Sequence, residues 1–277
     1  MTSKGRSALP AHPPSGMDLL YTDYTRGALP PPASRRILAP TTPARDGNPG
    51  SRLDLGRQAV NRFVERSAAA VPPGARVLDL GAGEGWYRDR FEGRRYLAVD
   101  FALGDGRWDY GGLDVRADLQ RLPFRDGAAD AILSTQTLEH LRDPRAFFSE
   151  AARVLRPGGA LFVTAPQGFR EHQAPHDYWR FTRYSLRMLA EEAGLVDVEV
   201  EVLGGYFAFM GDRLPAFHRY LFSNRRALGW RILTAPLSLL SRPFFTLFLP
   251  WLCGRLDRLD DKGTYANGYG MRARRPA

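Results

Sequence analysis

Leu55, Ala59, Val60, Phe63 and Val64 recur on one face of a 3.6-residue period, which predicts a helix that Pro72-Pro73-Gly74 ends. Short apolar runs follow at 77–80, 96–99, 131–133 and 161–163, each suited to a buried parallel strand, with helical stretches expected between them. Asp143 before Pro144 marks a helix start, Phe147, Phe148, Ala151, Val154 and Leu155 form its buried stripe, and Gly158 is expected just past its end. A second helix is expected from 183 to 193, between Thr182 and Gly194. Val196, Val198, Val200 and Val202 then alternate with Asp197, Glu199 and Glu201, the pattern of a half-solvated strand at a sheet edge. This alternation predicts a doubly wound α/β sheet.

The 277 residues suit one such domain with appendages. Four segments are expected: a Pro/Arg-rich disordered arm over 1–50, a core over 51–203, a helical apolar and basic insertion over 204–264, and a last strand and tail over 265–277. Charge divides along the same lines. Residues 1–66 carry ten Lys and Arg against five Asp and Glu, residues 67–203 carry 17 against 21, and residues 204–277 carry 12 against four. The core is mildly acidic and the basicity belongs to the ends, which points to an anionic partner met by the appendages. The single cysteine, Cys253, leaves no disulfide framework and no Cys cluster for zinc, and no metal is expected. Prolines at 10, 13 and 14 interrupt any secretory apolar region, so a cytoplasmic protein is expected.

The candidate chemistry starts where the run at 77–80 enters Gly81-Ala82-Gly83-Glu84-Gly85. Glycines there let a bound cofactor approach the backbone at a strand's carboxyl end, and Asp79 can meet a cationic group. A nicotinamide site would want its third glycine at position 86, which is Trp86, so the spacing favours a cofactor without a diphosphate. Asp100 ends the second run, 21 positions after Asp79, where a carboxylate can accept ribose hydroxyls. Asp118 and Leu119 follow a weak third strand and can hold an adenine amino group and ring.

Asp79 to Gly85, Asp100, Asp118-Leu119-Gln120-Arg121-Leu122-Pro123-Phe124, Leu138-Glu139-His140 and Glu150 to Gly159 together resemble the class I methyltransferases, specifically the methyltransferase type 11 group. The resemblance spans about 53–203. It implies a Rossmann-like, mainly parallel seven-stranded sheet with an antiparallel last strand, and S-adenosyl-L-methionine as cofactor. It places the methionine end of the cofactor near Asp79, Gly81 and Gly83, the ribose at Asp100, the adenine at Asp118 and Leu119, and the sulfonium side near Gln136.

Methyl transfer rests mainly on aligning an acceptor lone pair with the S–CH3 bond in a water-poor pocket. An alcohol acceptor must also lose its proton, for which His140 and His176 are the candidate bases. His172, Asp177, Tyr178 and Arg180 are candidate acceptor-binding groups, in a stretch similar to one found in type 11 enzymes of sugar and glycan pathways. Ser134-Thr135-Gln136-Thr137 lacks the proline-aromatic motif that stacks a flat base, which disfavours amino methylation of nucleobases.

The expected function is O-methylation of a sugar, glycolipid or small hydroxylated metabolite. A second reading is an RNA-associated or non-catalytic cofactor-binding protein using its Arg-rich ends. Two readings of the insertion stand side by side. Arg213, Arg219, Arg225, Arg226 and Arg231 interleave with Phe217, Tyr220, Leu221, Phe222 and Trp230, as in a segment lying on an anionic membrane at the inner face. Alternatively these helices pack on the sheet and roof the acceptor pocket. Arg242 and the prolines at 236, 243 and 250 are expected to interrupt a single spanning helix.

Overall fold

The computed structural model describes residues 54–103, 108–222 and 228–277, so the arm expected over 1–50 lies outside them. Helix α1 (Leu55–Ala70) starts at Asp54, whose side chain accepts from the Arg57 amide. Its first two amides, on Leu55 and Gly56, donate to the Asp212 carboxylate at 2.8 and 2.9 Å. Donors that the helix cannot satisfy internally are thus supplied with an acceptor from the insertion.

Seven strands form one sheet: β1 (Arg76–Leu80), β2 (Arg95–Asp100), β3 (Val115–Arg116), β4 (Ala129–Thr135), β5 (Leu155–Pro166), β6 (Val196–Leu203) and β7 (Gly268–Arg274). Their order is β3-β2-β1-β4-β5-β7-β6, with β7 antiparallel to both β5 and β6 and the other pairs parallel. The expected return of the last segment as a strand, and β6 at the edge, are both found. From β1 the chain winds out to β3 and then returns to β4 on the other side. The β1/β4 boundary is therefore the topological switch point, where ligands bind in such sheets.

The strands bury both faces. Val77 joins Phe63, Val64, Ala131, Leu133 and Phe162 on the α1 side. Leu78 and Leu80 join Ile132, Leu161 and Val163 on the other, beneath α2 (Pro144–Val154) and α3 (Arg183–Glu192). Asp143 caps α2 by accepting from Arg145 and Ala146, and Thr182 with Ser185 forms a capping box on α3.

Three expectations are corrected. Between β1 and β2 the described chain makes a glycine turn and one 3-10 turn (Arg88–Phe91) rather than a full helix, because glycines at 81, 83, 85 and 93 leave little helix-forming sequence. Gly158 keeps a positive φ of 72°, yet it lies inside β5, which begins directly where α2 ends. A register shift between Ala129 and Ala131 accommodates the irregularity.

The third concerns the insertion, which holds α4 (Tyr206–Gly211), α5 (Leu214–Phe222), α6 (Leu228–Pro243), a π-helical turn (Phe244–Phe248) and α7 (Leu249–Leu256). From Leu228 to Leu259 the helix is continuous, so the prolines do not break it. The π-helical turn follows Pro243, where the missing N–H frees a carbonyl one turn back.

Candidate functional site

At the switch point β1 ends in a turn whose glycines have φ of +82° at 81, +56° at 83 and +76° at 85. The amides of Gly81 and Ala82 donate to the Val99 carbonyl, tying the turn to the end of β2. A Cβ at Gly81 would collide with the Thr137 side chain, and one at Gly83 would stand 2.7 Å from the Trp108 ring. Glycine is required here by φ and by space together. Trp108 in turn stacks on Trp86 at 5.8 Å and on Tyr110 at 6.4 Å. This aromatic group over the glycine turn was not anticipated, since Trp86 and Trp108 lie on different loops and share no sequence period.

Each predicted cofactor residue has a definite place. Asp100 accepts from the Gly83 amide at 2.9 Å on one oxygen and from the Ala102 amide at 2.7 Å on the other. A carboxylate oxygen has two lone pairs, so each can still accept a hydroxyl. Asp79 is buried, with one oxygen accepting from the Tyr96 hydroxyl and the other without a partner. Burial pushes its carboxyl up to about 7, with Asp100 adding to the rise and Tyr96 and Arg88 opposing it. A cationic ligand group is what such an orphaned oxygen lacks.

Gln136 ends β4 at a φ of +50°, a conformation rare for a side-chain-bearing residue. Its amide and side chain both reach Thr164, with Nε2 donating to Oγ1 at 3.1 Å. The bend re-aims the chain beside the glycine turn, where Thr137 meets Gly81. Asp118 accepts from the Gln120 amide at 2.9 Å. Leu119 departs from expectation: it is 3% exposed and belongs to the core with Leu78 and Val99, so its side chain offers no surface to an adenine ring.

The loop after β5 carries the acceptor-side candidates, and the structure divides them. All five N–H donors of Arg180 are engaged: Nε with Phe169 O, the two terminal nitrogens with Asp177, Trp179 O and Arg170 O. Asp177 is 4% exposed at its side chain and also accepts from the His172 amide. Arg180 holds its carboxyl well below the usual range. Arg180 therefore has no donor left for an acceptor, and Asp177, nearly buried, is committed to holding the loop, contrary to the sequence reading. His176 and Tyr178 remain accessible, joined by a 3.0 Å contact between Nδ1 and Oη.

His140 faces inward. Its Nδ1 lies 2.6 Å from the His176 carbonyl, so this nitrogen donates, while Nε2 is buried without a partner. Burial holds its pKa below the usual value. Glu139, quoted in the Leu138-Glu139-His140 motif but given no role, proves to be wholly buried with neither oxygen hydrogen-bonded. Burial pushes its carboxyl up to about 8.

Residues 78–163 match a methyltransferase-domain family model. A probable S-adenosylmethionine-dependent methyltransferase of Mycolicibacterium smegmatis is 37% identical over 99 residues, covering 34% of this chain and 38% of that protein. A malonyl-[acyl-carrier protein] O-methyltransferase of Hahella chejuensis is 36% identical over 98 residues, covering 32% and 35%. A demethylmenaquinone methyltransferase of Mycolicibacterium paratuberculosis is 37% identical over 117 residues, covering 40% and 50%. The chain thus spans half or less of the length of these relatives. A crystal structure of a SAM-dependent methyltransferase from Archaeoglobus fulgidus shares the fold, with a TM-score of 0.50 at 16% identity over 79% of this chain and 94% of that one. With the glycine turn at the switch point, residues 78–163 thus form a methyltransferase domain on a Rossmann-like sheet of the class I order.

Proposed function

We propose that the protein methylates a hydroxyl oxygen of a sugar, glycolipid or other small hydroxylated molecule, working at the surface of an anionic membrane. The observation that carries the acceptor reading is the accessible His176–Tyr178 pair on the loop at the carboxyl end of β5. His176 Nδ1 meets the tyrosine hydroxyl, and Nε2 has no protein partner among the described residues, which suits a base for an alcohol proton. Glycine contacts at 81 and 83 and the carboxylates of Asp79 and Asp100 suit the ammonium and ribose of S-adenosylmethionine, which supplies an electrophilic methyl group. With that group bound, an acceptor oxygen would take up the methyl group and His176 would accept the proton it loses.

Labelled methyl transfer over extracted lipids, glycans and RNA tests the reading. Label is expected in a hydroxylated lipid or glycan, and His176→Ala should lower turnover by roughly 10²–10⁴-fold with cofactor affinity nearly unchanged. Label confined to RNA, or full turnover in the variant, overturns it.

The membrane part rests on the helix from Leu228 to Leu259. An 18-residue window of it has mean hydropathy 1.5 and none of that window is buried. Leu228, Ile232, Leu233, Leu239 and Leu240 are each about two-thirds exposed or more. Soluble monomers rarely present so much contiguous apolar surface. The lack of any buried residue in α6 favours the membrane reading over the roof reading for that helix, whereas α4 suits the roof, since its Phe209 fills the space beside Gly168 in the acceptor loop. Arg231, Arg242, Arg255 and Arg258 stand in this helix against one acidic residue, Asp257, so charge and apolar surface favour the same anionic lipid face.

A further inference from the structure

Glu139, His140 and His172 converge although they come from two loops. The Nε2 atoms of His140 and His172 lie 3.9 and 3.8 Å from Glu139 Oε1, and one ligating atom from each of the three residues falls within 4.8 Å of the others. The two rings meet edge to face at 4.7 Å. His140 carries its proton on Nδ1, toward the His176 carbonyl, which leaves Nε2 as a lone pair. His172 Nδ1 lies 3.2 Å from Asp177 Oδ2 but outside hydrogen-bond geometry, and Nε2 of that ring is turned toward Glu139 as well. Two imidazole nitrogens and a buried carboxyl group thus face one point, none within hydrogen-bond distance of another. A proton on Glu139 reaches at most one of them, and 3.8 Å is too long for a hydrogen bond.

We propose that Glu139, His140 and His172 form a binding site for one divalent transition-metal ion of the zinc class, with a fourth position left for water or the acceptor oxygen. Two imidazoles and a carboxylate are a ligand set that suits zinc in an open, three-ligand site. His140 has its outer nitrogen oriented by the His176 carbonyl, the arrangement that fixes metal-binding imidazoles, and the Asp177 carboxylate stands beside the outer nitrogen of His172. The surroundings are rigid: the Tyr178 amide donates to Glu139 O at 2.8 Å, and the Arg180 pair holds Asp177. Bonds of about 2.0–2.2 Å put tetrahedral ligand atoms about 3.4 Å apart, so each histidine must approach Glu139 by roughly half an ångström and the widest separation, within 4.8 Å, must close by side-chain rotation. Sequence gave no warning, because the expected absence of metal rested on cysteine count and the two histidines share no ligand spacing.

The use of the ion, lowering the pKa of an acceptor hydroxyl held in its open position, rests on the methyltransferase reading. Binding does not. The test takes the full chain stripped by a chelator and titrates Zn²⁺ by calorimetry and Co²⁺ by visible absorption, with S-adenosylmethionine titrated in parallel. One ion per chain is expected, with a tetrahedral Co²⁺ spectrum and a melting temperature raised by zinc. His172→Ala and Glu139→Gln should each weaken binding by about 100-fold or more, while His218→Ala leaves it unchanged. Should Glu139→Gln fail to fold, the partly exposed His172→Ala carries the test. Absence of one-to-one binding in the folded protein, or unchanged affinity in His172→Ala, overturns the site. Zinc failure with cofactor binding intact counts against the metal site alone, and the reverse counts against the methyltransferase reading alone.

Discussion

Asp79 sits where two demands conflict, since burial favours its neutral form and a cofactor ammonium favours its ionised form. With the carboxyl pushed up to about 7, the cofactor must draw a proton from it below neutrality. Affinity for S-adenosylmethionine should therefore rise up to tenfold per unit between about pH 6 and pH 7 and level off above about pH 8. Asp79→Asn should flatten the profile. Calorimetry in buffers of different ionisation enthalpy reads the proton release directly, and a pH-independent affinity would remove the assignment. Without cofactor the sign reverses. A carboxyl raised from 3.8 contributes most to stability below that value, and the contribution is lost as pH rises through about 7. Asp79, Gly81, Gly83, Asp100 and Gln136 were legible because strand ends and fixed spacing bring them to one place. Leu119, Asp177 and Arg180 were misjudged for one reason: sequence shows that a polar or apolar group is present, not what already surrounds it.

Among the elements, β1, β4 and β5 share a clamp at the ends opposite the site. Asp130 accepts from the Arg76 amide at 2.8 Å, from Arg76 Nε at 2.9 Å and from Arg156 Nε at 2.5 Å. These bonds hold its carboxyl well below the usual range, the Arg76 side chain contributing most. Because both arginines are partly exposed, Asp130→Asn should cost about 1–2 kcal/mol, read from urea unfolding. The contribution is complete above about pH 5 and lost as pH falls below the unfolded value. The variant should thus be less stable at neutral pH and match the parent in strong acid. An unchanged neutral midpoint would show that the bonds to water in the unfolded chain are as good. Buried strands were readable as unbroken apolar runs. The β1–β2 crossover was not, because alternation predicts a helix while the glycines needed for the ligand turn deny it. Prolines in the last long helix misled in the opposite direction: local rules count each as a break, whereas the surrounding turns absorb three of them.

On the scale of the whole molecule, an acidic core is joined to a basic, apolar insertion, a polarity that under the proposed membrane reading would orient the protein at an anionic surface. Co-sedimentation should show binding to vesicles containing phosphatidylglycerol at low salt and little to phosphatidylcholine alone. Arg231→Gln with Arg242→Gln should weaken it by about 2 kcal/mol, roughly thirtyfold, since each basic residue near such a surface contributes about 1 kcal/mol. Alkaline extraction from native membranes should release the full chain. Retention would mean that the helix spans the bilayer, and absence of vesicle binding would leave the apolar face for a protein partner.

The insertion leaves the sheet after Gly204 and rejoins it at Asn267, and these two residues share a hydrogen bond of 2.9 Å from Asn267 N to Gly204 O. A detour of more than 60 residues therefore begins and ends at one point. Its length imposes no strain on β6 and β7, because loop-closure cost grows only slowly with length. Related chains can accordingly enlarge, shrink or exchange this module without disturbing strand register, so whatever the module contacts can diversify while the sheet stays the same.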